Sequence, residues 1–457
     1  MDDFAVIILA AGMGTRMKSD TPKVLHKVFD KTMLEYTIEA SVEAGASKII
    51  IVTGYKEDMV RASVMASRIY NNTTRKIVFA HQSEQLGTGH AVKMAVPYLD
   101  KKHTVVLCGD TPLITHQTLS ALMNSQINTR SHFTLVSAVV EDPTGYGRII
   151  RRGGQLQKIV EQKDATPKEA AICEINSGLY CFDTKALLLA LDKLTNNNAN
   201  EEYYLTDTLE IMLDMHYRTS AIISEDKDDL YGINNKYQLS QATALMQSRI
   251  NKALMLDGVT MIDPRTTYIS KDAVIGLDTT IYPNVYIEGA CVIGKGVTLY
   301  SETTLKDAIV GDHTTVQNSV VIESRIGQHT TIGPYAYLRP GSDIGDHCRI
   351  GDFVEVKNSR IGNGSKASHL SYIGDAQVGE NVNLGCGIVT VNYDGKNKHT
   401  TTIEDNAFIG CNTNLIAPVT VSKNAYVAAG TTVTENVPSE ALAIGRSRQE
   451  NKLKWRR

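Results

Sequence analysis

The sequence predicts two domains: an α/β half on a Rossmann-like, mostly parallel sheet, followed by a parallel β-helix of hexapeptide repeats. Two observations predict this. In the first half of the 457-residue chain, short β-branched runs alternate with helical stretches, the pattern of a parallel sheet with helices on both faces. In the second half an aliphatic residue recurs at every sixth position, a period that fits neither a helix nor a plain strand alternation. A chain with that period buries its aliphatic rungs only by stacking one coil on the next. Glycine usage divides the chain at the same place, since 21 of the 34 glycines follow Asp257 although that part is the shorter one. The expected boundaries are 1–229 for the first domain, 230–257 for a helical linker, and 258–457 for the repeat domain with its C-terminal tail.

Taken in order, Phe4 to Ala11 is apolar, follows two aspartates in place of a basic stretch, and is too short to span a bilayer. It is expected to be a buried strand. Lys48 to Gly54, Thr104 to Asp110 and Phe133 to Ala138 are the next clear strands, with helices at Met33 to Gly45 and Gln117 to Gln126. Leu239, Ala242, Met246, Ile250 and Leu254 fall at helical spacing, as a linker arm or as a helix docked on the first domain. The repeat then runs in sixes from Ile269 through Ile275, Ile281, Ile287, Ile293 and Leu299 to Leu305. It continues at Val310, Val316 and Ile322, then from Ile326 to Val356, Ile361 to Ile373, and Val378 to Leu384, before restarting at Ile403. The four slips, after Leu305, Ile322, Val356 and Ile373, are expected to mark bends or loops. The longest break, Thr390 to Ile403, holds the turn signal Val391-Asn392-Tyr393-Asp394-Gly395 and is expected to carry ligand contacts or to reach a neighbouring subunit.

Composition excludes some functions. A net charge of −3 argues against nucleic acid or an anionic membrane as an electrostatic partner. The basic tail Lys452-Leu453-Lys454-Trp455-Arg456-Arg457 is expected to be a solvated terminus. Seven scattered cysteines without a Cys-x-x-Cys pair describe reduced thiols in a cytoplasmic protein, not a disulfide framework or a zinc site.

Ligands of such a sheet bind at the carboxyl ends of its strands. The loop Gly12-Met13-Gly14-Thr15-Arg16-Met17 lacks the third glycine of a dinucleotide fingerprint and the Gly-Lys-Ser/Thr ending of a P-loop. Its glycines let backbone approach a phosphate chain, and Arg16 with Lys23 supplies compensating charge. Asp110, before Thr111-Pro112, taken alone is a helix N-cap. Gln82 to Ala91 is rich in amide, hydroxyl and glycine, suited to reading a base or sugar and equally to an ordinary solvated loop.

The order Leu-Ala-Ala-Gly-x-Gly-Thr-Arg-Met, Pro-Lys, Gln-Leu-Gly-Thr-Gly-His-Ala and Gly-Asp-x-Pro-Leu resembles the sugar-1-phosphate nucleotidyltransferases. Joined to the repeats, the whole chain resembles the bifunctional N-acetylglucosamine-1-phosphate uridyltransferase and glucosamine-1-phosphate acetyltransferase family of bacteria. That resemblance implies a left-handed β-helix and assigns roles. Leu9, Ala10, Ala11, Gly12, Gln82, Gly87 and Thr88 would hold the uridine part, and Arg16 and Lys23 would act on the triphosphate of UTP. Asp110 and Asn234 would bind Mg²⁺, a sparse set that magnesium tolerates because it keeps waters and substrate phosphates. Gly147, Glu161 and Asn176 would contact the sugar.

In the repeats, Arg339 and Lys357 are 18 residues apart, the spacing that stacks side chains on one face, and a pair of cations there wants an anion such as phosphate. Either one alone, like His369 or Tyr372, is equally an ordinary corner residue. The resemblance implies that Arg339, Lys357, Tyr372 and Asn383 bind glucosamine-1-phosphate and that His369 is the general base of acetyl transfer, work suited to an imidazole. Asn392, Tyr393, Ala429 and Arg446 match positions that contact acetyl-CoA, as do Cys386 and Cys411, which replace the family's Ala or Ser. It also implies a homotrimer and the product UDP-N-acetylglucosamine, made from UTP and N-acetylglucosamine-1-phosphate. Two rivals are a single-activity nucleotidyltransferase with a structural or regulatory β-helix and a non-catalytic assembly subunit. His369 with Arg339 and Lys357 argues against the first, and Arg16, Lys23, Asp110 and Asn234 against the second.

Overall fold

Two compact units, one ending at Met246 and the other beginning at Gln247, make up the computed structural model, which describes residues 3–453 and 455. Asp2, Lys454, Arg456 and Arg457, which figure in the sequence reading, lie outside the described residues.

In the first unit the order is β1 (Phe4–Ala10), α1 (Met33–Glu43), β2 (Lys48–Thr53), α2 (Glu57–Ala66), β3 (Lys76–His81), α3 (Thr88–Ala95), β4 (His103–Cys108), α4 (His116–Thr129) and β5 (Phe133–Val139). A hairpin of β6 (Gly147–Arg152) and β7 (Gln155–Val160) precedes β8 (Glu174–Asp183), α5 (Thr184–Asp192), α6 (Thr208–Asp214) and β9 (Thr219–Ile223). The sheet order is β9-β5-β8-β4-β1-β2-β3, parallel throughout except for β8, which runs antiparallel to both neighbours. Ile7, Ile8, Ile50, Ile51, Val105 and Val106 are fully buried, as central strands covered on both faces require. α1 begins with a capping box in which Thr32 and Glu35 each accept the other's backbone N–H.

α7 (Lys236–Leu256) carries the periodic residues predicted for the connector. Ala242 and Met246 are buried in the first unit's portion, whereas Ile250 and Leu254 pack on the core of the second. Gln247 and Asn251 each donate to the carbonyl oxygens of Pro264 and Thr267, which caps the start of the solenoid.

The second unit is a three-faced parallel β-helix, with faces of eleven, ten and nine strands among the described residues. Ile269, Ile287 and Leu305 stack in register on one face, Ile281 and Leu299 on another, Ile293 and Val310 on the third. Each such rung is essentially solvent-free and is worth ~1.5–3 kcal/mol of transfer free energy.

Three sequence expectations are corrected. Val321, not Ile322, occupies the rung between Leu305 and Leu338. The chain therefore shortens by one residue at Val316–Val321 and again at Val321–Ile326. The slips produce no loops: the coil-to-coil offset falls, the corners absorb the missing residue, and the ladder continues. The long break also starts later than expected, because Thr390 itself fills the rung beneath Leu415. The excursion proper is a short hairpin closed by the Tyr393–Lys398 bridge and by His399 N–H donating to Asn392 O at 2.8 Å. Asp394 holds its tip by accepting the backbone N–H groups of Lys396 and Asn397, both at 2.7 Å.

Candidate functional sites

The carboxyl ends of β1 and β4 open onto a cavity of about 450 Å³. Leu9, Ala10, Ala11, Gly12, Arg16, Lys23, Gln82, Gly87, Thr88 and Asp110 all line it, together with Glu202, which carried no signal in the sequence. Two glycines are dictated by geometry. Gly14 has φ 62°, and a Cβ there would fall 2.5 Å from Lys23 Cβ, so only glycine lets the loop fold onto Lys23. Gly87, with φ 104°, would drive a Cβ to 2.7 Å from Tyr203 O.

Lys23 Nζ donates to Asp110 Oδ2 and, at 2.9 Å, to Asn234 Oδ1, while Arg16 Nη2 donates to the same amide oxygen at 2.8 Å. Ile233 N–H donates to Asp110 O at 3.0 Å and Asn234 N–H to Gln238 Oε1 at 2.7 Å, which fixes the Asn234 turn against the end of β4. Asp110 is not the N-cap that its neighbours suggest. The cap of α4 is Thr115, whose side chain accepts from Thr118 N–H. Two hard oxygens, one carboxylate and one amide, thus converge on a single cationic group, a donor pair that fits a hard divalent cation. Among the described residues no group of three His, Cys, Asp or Glu side chains is arranged to hold a metal. A cation held by Asp110 and Asn234 would take the rest of its shell from substrate and water.

Gly147, Glu161 and Asn176 do not line this cavity but gather with one another. Gly147 pairs with Asn176 between β6 and β8, and a Cβ on it would lie 3.6 Å from Glu161 Oε1. Asn176 Nδ2 donates to Tyr180 Oη at 2.7 Å, and Thr206 Oγ1 donates to Glu161 Oε1 at 3.3 Å. Burial first, then the charges of Asp207, Asp164 and Glu202, push the Glu161 carboxyl upward. At the end of β4 the half-buried Cys108 thiol is pushed up to about 12, by burial first and then by the Asp110 charge, and is no nucleophile.

In the β-helix, Asp352 and His369 are register partners on adjacent coils, and His369 Nδ1 lies 2.6 Å from Asp352 Oδ1. The hydrogen bond from His369 holds Asp352 below the usual carboxylate range. A carboxylate only accepts, so in the neutral imidazole the proton sits on Nδ1 and Nε2 keeps the lone pair. Arg339 and Lys357 do stand on neighbouring coils, with Arg339 N–H donating to Val356 O at 2.8 Å. Neither is without a structural partner: Arg339 pairs with Glu355 at 2.8 Å and Lys357 with Asp375 at 3.4 Å.

Asp375, buried, is the hub of this corner. It accepts from Asn358 Nδ2 at 2.6 Å and from Asn392 Nδ2 at 2.5 Å. Burial raises its pKa, but these amides and Lys357 outweigh it and the net shift is downward. Asn392 also lies 3.4 Å from Tyr372 Oη. Lys398, brought in by the excursion, lies against Lys357, which holds its ammonium below the ordinary lysine range, with Arg339 adding to the effect. Three cations thus share one corner.

Asn383 sits on the neighbouring face, in register between Lys366 and Phe408. Tyr393 is exposed on the excursion, its hydroxyl donating to Gly395 O at 2.8 Å. Cys386 and Cys411 occupy successive coils, and Arg446 Nη1 donates to Ala429 O at 2.9 Å on the coil beyond. Sequence reasoning missed Asp352, Asp375 and Lys398. Only Asp352 had left a signal, the coil offset that pairs it with His369.

The nucleotidyl transferase family matches residues 5–244. The bacterial transferase hexapeptide (six repeats) matches residues 323–358, and the hexapeptide repeat of succinyl-transferase matches residues 400–435. These are hexapeptide repeats, and the stacked parallel faces are consistent with a left-handed β-helix. The bifunctional protein GlmU of Clostridioides difficile (strain 630) is 50% identical over 455 residues, covering 99% of this chain and 97% of that one. Its counterpart in Geobacillus sp. (strain WCH70) is 52% identical over 449 residues, covering 98% and 96%. Identity at that level through both units shows that the chain belongs to the GlmU family of bifunctional proteins.

Proposed function

We propose that the chain makes UDP-N-acetylglucosamine in two reactions on two separate sites. The observation that carries this is the coexistence, in one chain related along its whole length to bifunctional proteins, of two unlike constellations. One is a cation-and-oxygen cluster suited to phosphoryl chemistry. The other is a carboxylate-held imidazole on one face of the β-helix with a three-cation corner on the neighbouring face.

In the second unit Arg339, Lys357 and Lys398 take the phosphate of glucosamine-1-phosphate, with Tyr372 and Asn383 on the sugar. His369, its Nδ1 held by Asp352, removes a proton at Nε2 from the sugar amine as that amine attacks the thioester of acetyl-CoA. Cys386, Asn392, Tyr393, Cys411, Ala429 and Arg446 receive the coenzyme. In the first unit the pocket of Leu9 to Gly12, Gln82, Gly87 and Thr88 takes the uridine. Gly147, Glu161 and Asn176 take the sugar of N-acetylglucosamine-1-phosphate. Arg16 and Lys23 lie where the triphosphate of UTP arrives and neutralise charge as the sugar phosphate oxygen attacks the α-phosphorus and pyrophosphate leaves. Mg²⁺ is the cation for Asp110 and Asn234, and when bound it supplies further charge neutralisation on the phosphates.

The hexapeptide repeats support assembly as a homotrimer through the β-helix. Seven free cysteines support a cytoplasmic setting, and no helix among the described residues is long and apolar enough to cross a membrane. The product serves cell-envelope polymers. The test supplies glucosamine-1-phosphate, acetyl-CoA, UTP and Mg²⁺ and resolves the products. His369→Ala is expected to lose acetyl transfer and keep uridyl transfer, and Asp110→Ala the reverse. Loss of both activities in either folded variant would overturn the two-site assignment.

A further inference from the structure

Asp352, His369, Cys386 and Cys411 stand at one register position on four successive coils. Asp352 and His369 are paired. The offset that pairs Lys366 with Asn383 and Ala367 with Leu384, carried two residues on, brings Cys386 beside His369. The offset that pairs Leu384 with Ile409 likewise brings Cys411 beside Cys386. Backbone bonds hold the two cysteines level: Gly385 N–H donates to Ile409 O at 2.9 Å, and Asn412 N–H to Cys386 O at 2.7 Å. Neighbouring strands of a ladder lie about 4.8 Å apart, inside the Cα separation of about 4.4–6.8 Å that a disulfide spans. Both thiols are free; Cys411 is exposed and Cys386 partly so, whereas Cys181, Cys291 and Cys348 are buried. The coil itself has no need of sulfur here, since the same corner position elsewhere holds Asp352, His369 or Ala429.

We propose that Cys386 and Cys411 form a redox-active thiol pair that closes to a disulfide across two coils by exchange with a low-molecular-weight aliphatic disulfide. One thiolate attacks the reagent disulfide, expels one thiolate and leaves a mixed disulfide. The second cysteine attacks the protein sulfur of that intermediate and expels the other half. The protein pair is oxidised, and the reagent is reduced to two thiols that take up the two protons the cysteines lose. On the placement of acetyl-CoA given above, on which only this consequence rests, the closed bond lies beside His369 and lowers acetyl transfer.

The test incubates the full chain with 2-hydroxyethyl disulfide, blocks residual thiols and maps the peptides. A linked Cys386–Cys411 peptide pair, reopened by dithiothreitol, is expected. In Cys386→Ala and Cys411→Ala the remaining cysteine of the pair is expected to retain the reagent as a mixed disulfide, because the resolving thiol is gone. Retention of the reagent on Cys386 or Cys411 of the unsubstituted chain, or no reaction at either, overturns the proposal. Both activities are read on the same samples. Loss of acetyl transfer alone ties the pair to the coenzyme site, whereas a linked chain with undiminished acetyl transfer supports the thiol pair and overturns the placement of acetyl-CoA.

Discussion

His369 Nδ1 lies 2.6 Å from Asp352 Oδ1 although the two residues are 17 apart, because the coil between them is one residue short of eighteen and brings them level. The carboxylate holds one tautomer and leaves Nε2 as the only basic nitrogen. Asp352 is thus a positioning residue. Asp352→Asn is expected to lower kcat of acetyl transfer with little change in KM for glucosamine-1-phosphate, because the amide no longer selects the tautomer. His369→Ala removes the base itself and is expected to cost more, ~10²–10⁴-fold. Steady-state kinetics of both variants separate the roles, and an unchanged kcat in Asp352→Asn would sink this one.

Lys398 gives a pH dependence. Lys357 beside it holds its pKa below the ordinary lysine value, so Lys398 loses its proton first as the pH rises, and the corner loses one of its three cations. KM for glucosamine-1-phosphate is therefore expected to climb on the alkaline side while kcat changes less. Lys398→Arg is expected to flatten the climb, because a guanidinium stays charged. Lys398→Ala is expected to raise KM several-fold at neutral pH. A KM profile in the parent that stays flat through the alkaline range would contradict this account.

The contrast between Asp352 and Lys398 shows what a sequence can disclose of this site. Periodicity located the solenoid and, through register, stacked Arg339 on Lys357. It misplaced one rung at Val321 because Val320, Val321 and Ile322 form one strand of equally apolar residues, and which of them turns inward depends on where the corner is shortened. Asp352 was reachable by the same counting once the shortened coil was allowed for. Lys398 was not, since the hairpin that carries it has no repeat and folds back by local turn chemistry. In the first unit the strand ends foretold the cavity. The ordering of Asn234 against Asp110 depends on contacts between residues far apart in the chain.

Asp207 couples the first unit's stability to pH. Burial first, then the charges of Glu210 and Asp164, raise its pKa from 3.8 to about 6. The folded state therefore holds a proton that the unfolded state has released between those values, and stability falls as the pH rises through that window. Asp207→Asn removes the titration. Its melting temperature is expected to exceed the parent's above pH 6 and to approach it near pH 4, and thermal unfolding across that range checks the sign. A larger advantage at pH 4 than at pH 7 would refute the assignment.

Thr390 occupies a rung where the neighbouring coils carry Ile373 and Leu415. Its hydroxyl accepts Gly374 N–H at 2.7 Å and is 3.0 Å from Gly374 O. The chain leaves the ladder just beyond, so the hydroxyl satisfies backbone groups that a continuing strand would otherwise pair. Thr390→Val has nearly the same shape and adds apolar surface worth ~0.8 kcal/mol, but it strands a buried N–H at a cost of ~1–3 kcal/mol. The loss outweighs the gain, so the variant is expected to be less stable than the parent, and Thr390→Ser, which keeps the oxygen, less affected by the lost bond. Gly374 adjoins Asp375, the partner of Lys357 and Asn392, so the disturbance reaches the cation corner. Thr390→Val is accordingly expected to raise KM for glucosamine-1-phosphate while leaving uridyl transfer unchanged. Denaturation curves with paired kinetics decide the matter, since a valine variant as stable as the parent would mean that the hydroxyl is dispensable at this rung.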